Sequence, residues 1–322
     1  MKTYTVDKVC DDEAIDALNG EFLGDEAYDL LIDHDADIFR ADGSPLIHFR
    51  RNVVSVKHAA RAFPVLFKAA QGGGNRGTAA GRLSTLGLKP GDRHEQHVIG
   101  ALHGDTRYYP MKKDGTISKR SFGLEVPSSV IGSLERSSPA IPYCRLTAFT
   151  AKHLKALRDA APFIRTVDTC FRENSPQRHA AQLAECNKTH PDYIISGTAF
   201  STITVNRNWR TALHKDVGDL RSGFGVLAVL SEGRYEGGLF VVPQYGVAVN
   251  MRHGDVLLVD VHEWHCNTPL VGVSKYWTRL SCVFYFRRRI VACKSLSEET
   301  ERAKRRQPGD SLFNDFEGEF PE

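Results

Sequence analysis

Residues 254–287, GDVLLVDVHEWHCNTPLVGVSKYWTRLSCVFYFR, decide how this chain folds. Two apolar runs, Val256–Val261 and Tyr276–Phe286, are short enough for strands, and a segment rich in His, Asn, Pro and Gly separates them. The second run alternates. Arg279, Ser281, Val283, Tyr285 and Arg287 share one face, and Leu280, Cys282, Phe284 and Phe286 share the other. A face with two arginines, a serine and a tyrosine is a poor core but a good anionic pocket, because a guanidinium grips a carboxylate through a two-bond fork. The strand alone fits a solvated polar stripe over a buried Phe face equally well.

Upstream of this stretch the texture is the same. Phe200–Val205, Gly225–Leu230, Leu239–Val242 and Val247–Met251 are further short strands, bounded by Gly, Asp and Pro. Six strands at such spacing predict a jelly roll, a cupin-like double-stranded β-helix. Helices are expected at 54–70, 151–172, 176–188 and 295–306, with Ser175 as N-cap and Pro176 at the first helical position of the third. The fold class is therefore α+β, a jelly-roll core with packed helices and an N-terminal α/β extension. The expected divisions are an N-terminal α+β region over 1–140, the double-stranded β-helix over 141–290, and a C-terminal helix with an acidic tail over 291–322. Within the first, 28–50 reads as a β-hairpin about Asp42-Gly43. Residues 71–91, Gly-rich and carrying Arg76, Arg82 and Lys89 with no acid, read as a mobile basic loop. Gly72, Gly74 and Gly77 spell G-x-G-x-x-G, but a helical stretch precedes them instead of a strand, which disfavours nucleotide binding.

The chemistry-bearing pattern is H-x-D followed by a distal His. A mononuclear non-haem Fe(II) oxygenase holds its metal with two His and one carboxylate on one face, leaving open positions for a co-substrate and O2. Four H-x-D pairs occur: His103/Asp105, His190/Asp192, His214/Asp216 and His253/Asp255. Only His214/Asp216 lies near the end of an early strand with three strands between it and the Gly254–His265 stretch, so His214, Asp216 and His265 are the expected ligands. His262 is a rival for His265, but eight residues after Gly254 is too few to reach the metal, and it reads as a supporting or structural His. With this triad in place, the polar face of Tyr276–Phe286 reads as the pocket wall, where a guanidinium can take a carboxylate as 2-oxoglutarate binding requires.

The chain has 322 residues, 41% hydrophobic and 25% charged, an ordinary globular composition that disfavours disorder, collagen and coiled coil. The net charge of +3 hides a pattern. Residues 1–49 hold 13 acids against 3 bases, 50–306 hold 21 against 39, and 307–322 carry five acids and no base. A basic body between acidic ends suits a polyanionic partner. No apolar run reaches the ~18 residues a spanning helix needs, and the first residues lack the pattern of a signal peptide. No membrane association and an intracellular location are expected. Seven scattered cysteines without a C-x-x-C pair argue against a disulfide framework and a structural zinc site, and agree with a reducing compartment.

On TALHKDVGD (211–219), GDVLLVDVHEWHCNTPL (254–270) and TRLSCVFYFR (278–287), the sequence resembles the ten-eleven translocation (TET) and J-binding-protein branch of the 2-oxoglutarate/Fe(II) dioxygenases. Its compact form is more similar to phage and bacterial members than to animal ones. The resemblance implies hydroxylation of the 5-methyl group of 5-methylcytosine or thymine in DNA, using Fe(II), 2-oxoglutarate and O2, with ascorbate as a possible reductant. It implies that His214, Asp216 and His265 hold iron, that Arg279 and Ser281 hold 2-oxoglutarate, and that Tyr285 packs on the target base. Asp219 and Arg287 stand where animal members carry an Asn and a His against the base, which leaves the choice of base open. The implied partner is DNA with its target base flipped or single-stranded, and no obligate protein partner is expected. The implied location is the cytoplasm of a phage or bacterial host, or the nucleus in a eukaryote. Two other readings compete: hydroxylation of a free nucleoside, another small molecule or a protein side chain, and a modified-base reader without chemistry.

Overall fold

The computed structural model describes residues 1–305 apart from 75, 85–92, 95–96, 103–105, 111, 113, 119–120 and 137–140. Among the described residues the strands begin with β1 (Lys2–Val6), β2 (Leu30–Ile32), β3 (Ala36–Arg40), β4 (Pro45–Arg50), β5 (Arg93–His94), β6 (His97–Leu102), β7 (Arg107–Pro110), β8 (Phe122–Gly123), β9 (Ser128–Leu134) and β10 (Arg145–Leu146). After two long helices come β11 (Thr202–Arg207), β12 (Gly225–Glu232), β13 (Tyr235–Gly237), β14 (Phe240–Val242) and β15 (Val247–Val249). The last are β16 (Val256–Val259), β17 (Cys266–Asn267), β18 (Leu270–Gly272) and β19 (Thr278–Tyr285). The helices are α1 (Asp12–Ala17), α2 (Val56–Ala69), α3 (Ala148–Asn174), α4 (Pro176–Lys188) and α5 (Leu296–Arg305).

A nine-stranded sheet in the order β1-β3-β4-β16-β12-β19-β11-β9-β10 faces a four-stranded sheet in the order β17-β14-β15-β2. These are the two walls of a jelly-roll core. The central strands of the large sheet are buried on both faces, which explains their nearly continuous apolar sequence. Val226, Ala228 and Leu230 of β12, with Leu280, Cys282 and Phe284 of β19, pack on the helix layer. Leu227 and Val229 of β12 and Leu257 and Val259 of β16 point the other way, onto Phe240, Val242, Val247 and Val249 of the small sheet. Each fully buried Leu, Val or Phe contributes about 1.5–3 kcal/mol.

The helix layer is α2 against α3. In α3, Ala160, Phe163, Ile164, Val167 and Phe171 recur at helical spacing and form its buried stripe. Ser55 caps α2 by accepting from the His58 amide at 3.2 Å, and Thr147 caps α3 by accepting from the Thr150 amide at 3.3 Å. Ser175 does sit before Pro176 at the start of α4, but its hydroxyl makes no capping bond.

Three expectations are corrected. The 28–50 stretch is not one hairpin: only β3 and β4 pair antiparallel about Asp42-Gly43, while β2 runs parallel to β15 in the other sheet. Alternating apolar residues satisfy either arrangement, and tertiary pairing decides.

The described part of 71–91 is folded, not a free loop. Gly73 and Val126 exchange backbone hydrogen bonds of 2.9 and 3.1 Å, the Ala212 amide donates to Ala79, and Leu83 is fully buried. Its glycines allow chain-on-chain contact: a Cβ on Gly74 would lie 2.9 Å from the carbonyl oxygen of Gly123. Lys89 lies outside the described residues.

Cys144 and Cys293 form a disulfide across a sequence separation of 149 residues, a pairing their spacing does not reveal. The other five cysteines are free. The chain thus has one long-range link without a disulfide framework. Among the described residues no helix is long and apolar enough to cross a membrane, and the acidic tail after Arg305 lies outside them.

Candidate active site

Between the two sheets, at the mouth of the barrel, lies a cavity of about 370 Å³. Its floor is the inward face of β19. Strand pairing holds this face in register, because β19 bonds to β11 on one side and β12 on the other. Ser281, Val283, Tyr285 and Arg287 line the cavity, with Leu227, Phe240 and Val261 as apolar wall. The polar face of this strand therefore looks inward, not to solvent.

His214 and His265 meet across the mouth. Each amide donates to the other residue's carbonyl at 3.0 Å, and the rings lie 4.3 Å apart. Asp216 completes the group, with carboxylate oxygens 3.7 Å from His214 Nε2 and 3.8 Å from His265 Nε2. The three side-chain ligand atoms all lie within 4.8 Å of one another. Both rings are oriented from behind: Nδ1 of His214 donates to the Ala212 carbonyl at 2.8 Å and Nδ1 of His265 to the Glu263 carbonyl at 2.9 Å. A carbonyl only accepts, so each Nδ1 carries the proton and each Nε2 offers its lone pair to the shared point. Phe240 stacks on the His265 ring at 5.3 Å. Burial, with repulsion from His214, pulls the His265 pKa down to about 4, so the ring is neutral and ready to ligate at neutral pH. This donor set, two imidazole nitrogens and one carboxylate with an open side, fits a mononuclear Fe(II) centre.

The remaining expected site residues fall into two groups. Arg279, 3% exposed, is set back behind Ser281 instead of lining the cavity. It donates to the Gly238 carbonyl at 3.3 Å, and its buried Nε has no hydrogen-bond partner. An unmet guanidinium donor beside Ser281 suits a carboxylate.

At the other end of β19, Arg287 forks onto Glu135 at 2.8 and 3.0 Å and donates to the Tyr285 hydroxyl at 3.1 Å. Tyr285 also shares a hydrogen bond with Thr204. Asp219 lines the cavity beside Arg287. Burial and the neighbouring Asp216 hold its carboxyl well above the usual carboxylate range, and Oδ2 has no partner.

His262 stays out of the group: Nδ1 faces Asp260 at 3.2 Å and Nε2 donates to the Asp219 carbonyl at 3.4 Å. His190 and His253 are structural, the first accepting from the Asp192 amide and the second from the Ser231 amide. His103 and Asp105 lie outside the described residues.

Sequence reasoning missed Glu135, whose role depends on pairing between β9 and β11 and leaves no local signal. It placed Arg76 on a mobile basic loop, whereas Arg76 lines the cavity. Of the basic residues near the metal motif, Lys215 lies over the Trp264 ring, and Arg210 is fastened to the Asn267 and Leu23 carbonyls.

Comparison with known proteins agrees with this geometry. Over 187 residues the chain is 39% identical to thymine dioxygenase JBP1 of Trypanosoma brucei brucei, covering 57% of this chain and 22% of the relative. Over 166 residues it is 36% identical to the bifunctional helicase and thymine dioxygenase JBP2 of Leishmania major, covering 51% of this chain and 15% of the relative. The chain thus spans about a fifth of the length of these curated relatives. The structure of NgTET1 in complex with 5mC DNA superposes with a TM-score of 0.50 at 13% identity, covering 85% of this chain and 86% of that one, a likeness of fold. Residues 131–288 match the family model Tet_JBP, and this segment of the chain is accordingly an oxygenase domain of the 2OGFeDO superfamily in the Tet_JBP family.

Proposed function

We propose that the chain is a 2-oxoglutarate- and Fe(II)-dependent dioxygenase that hydroxylates the 5-methyl group of a pyrimidine base in DNA, either 5-methylcytosine or thymine. The observation that carries this is the convergence of His214 Nε2, His265 Nε2 and Asp216 on one point at the mouth of the cavity floored by β19. The relatives that are named thymine dioxygenases support the reaction class.

In this reading His214, Asp216 and His265 hold the iron. Arg279 and Ser281 take the distal carboxylate of 2-oxoglutarate. Bound iron, 2-oxoglutarate and O2 supply the oxidising chemistry, converting the co-substrate to succinate and CO2 and the methyl group to hydroxymethyl. The chain supplies orientation and exclusion of water: Leu227, Phe240, Val261 and Val283 form the apolar wall. Tyr285 packs on the base, and Asp219 with Arg287 meets its polar edge. A methyl group inside a duplex cannot enter such a cavity, so the base is flipped or single-stranded. A DNA substrate places the protein inside the cell, in the cytoplasm of a phage or bacterial host or in a eukaryotic nucleus.

The test is incubation with Fe(II), 2-oxoglutarate, ascorbate and oligonucleotides containing thymine or 5-methylcytosine, followed by digestion and mass spectrometry. Nucleosides that have gained one oxygen, absent with His214→Ala, are expected. Product from free nucleosides but not oligonucleotides would favour a small-molecule hydroxylase instead.

A further inference from the structure

Arg76 has no function in the scheme above. It stands at the start of the short 3-10 turn Gly77–Ala80, and it lines the same cavity as Asp216, Asp219, Tyr285 and Arg287. Its position is built. Gly73 bonds to Val126 on one side of the turn and Ala79 to Ala212 on the other, and both anchors are backbone hydrogen bonds. Among the described residues its guanidinium makes no hydrogen bond or ion pair. Burial draws its pKa below the ordinary value, with Arg287 adding to the shift, while Tyr285 and Asp216 oppose it. A half-buried guanidinium that lines the cavity without a protein acceptor can take one from the occupant.

The place of Arg76 narrows which acceptor. Its charged neighbours are Tyr285, Arg287 and Asp216, and Arg279 is not among them. Ser281 and Tyr285 are four residues apart on β19, about 13 Å along an extended strand, so Arg76 belongs to the base end of the cavity. Arg287, the other guanidinium there, already has Glu135 and Tyr285 as acceptors and keeps only its Nε unpartnered, whereas Arg76 has no acceptor among the described residues. Asp216 lies on the metal side, where the reacting methyl must be. The polar atom nearest that methyl is the substituent on C4, the adjacent ring carbon. In thymine this is a carbonyl oxygen, an acceptor; in 5-methylcytosine it is an amino group, a donor. Arginine only donates.

We infer that Arg76 is a specificity-determining residue that donates to the C4 carbonyl of the target base, making this a site for thymine in preference to 5-methylcytosine. The inference rests on the proposed reaction for its substrate class. Setting two donors face to face in a desolvated site disfavours 5-methylcytosine by about 10- to 100-fold.

The test uses the full chain and single-stranded oligonucleotides with one central thymine, 5-methylcytosine or abasic position. Two ratios are measured: thymine over 5-methylcytosine in affinity, by fluorescence anisotropy with metal-free protein, and the same ratio in turnover. Wild type is expected to favour thymine by both, and Arg76→Gln and Arg76→Ala to bring both ratios towards one with an unchanged melting temperature. Arg76→Lys keeps the charge but loses the fork and restores only part. Wild type without preference, or variants that lose both bases equally, overturns the inference. So does a methylphosphonate beside the target base whose effect duplicates that of Arg76→Gln, since the partner would then be a phosphate. If no hydroxymethyl product forms but the affinity ratio depends on Arg76, the proposed reaction fails and the role of Arg76 stands. If product forms from both bases and neither ratio depends on Arg76, the reverse holds.

Discussion

Replacing Glu135 by alanine removes both acceptors of the Arg287 fork, at 2.8 and 3.0 Å, and leaves the guanidinium with Tyr285 as its remaining side-chain partner. The two side chains are 21% and 18% exposed, so water offers only partial compensation. Breaking a buried pair by deleting one partner costs about 3–5 kcal/mol, and the residual exposure lowers this to about 2–4 kcal/mol. At roughly 2 cal/mol/K of unfolding entropy per residue, that is a fall of about 3–6 °C in melting temperature for a chain of this length. The double variant Glu135→Leu/Arg287→Met removes both charges and should be less destabilised than Glu135→Ala alone, because no charge is left stranded. Arg287 also orients the Tyr285 hydroxyl, so Glu135→Ala should raise KM for an oligonucleotide substrate more than it lowers kcat. Calorimetry on the single and double variants, with steady-state kinetics, provides the check. A coupling energy below about 0.5 kcal/mol would refute the view that this fork holds the Tyr285–Arg287 end of the cavity together.

In the metal-free protein the His265 ring should titrate near pH 4 by NMR. Its folded pKa lies below the unfolded value, so the unfolded chain binds the proton first, and stability should decline as pH falls from about 6.5 towards 4. A midpoint above 6 would contradict the buried environment described. His214→Ala and Asp216→Ala should each weaken Fe(II) or Co(II) binding by about 100-fold or more, read by titration calorimetry, while leaving the fold intact by circular dichroism. Leu258, fully buried between the sheet and the helices, should cost about 2–5 kcal/mol in urea unfolding when changed to Ala. Reduction of Cys144–Cys293 should lower stability by about 2–4 kcal/mol, given the long loop it closes, and Cys144→Ser should reproduce the loss.

The core strands were legible because each carries its own periodicity: the two faces of β19 divide at the residues that alternation assigns. Hydrophobic pattern sets a strand's faces without naming its neighbours. This is why β2 looked like half of a hairpin, although its partner is β15. Short strands such as β17 and β18 have too few residues for any period to register. In the site, the H-x-D and the distal His were readable because strand order brings them together. Glu135 and Arg76 were not, because each enters from a segment whose position depends on long-range pairing: β9 on β11, and the glycine strap on Val126 and Ala212.

The placement of β2, β3 and β4 has a consequence for how the molecule is made. Within about twenty residues the chain lays one strand on the small sheet and two on the large one, and so closes the barrel from the outside. The partners of those strands, β15 and β16, come about two hundred residues later. At roughly 5–20 residues per second on the ribosome, the first apolar strands wait about 10–40 s for their sheets. Loss of this segment, conversely, would bare the edges of β15 and β16 together, two open templates for pairing with another copy. The 131–288 stretch that matches the family model thus leaves out the two strands that border β15 and β16, and both are synthesised before any of it.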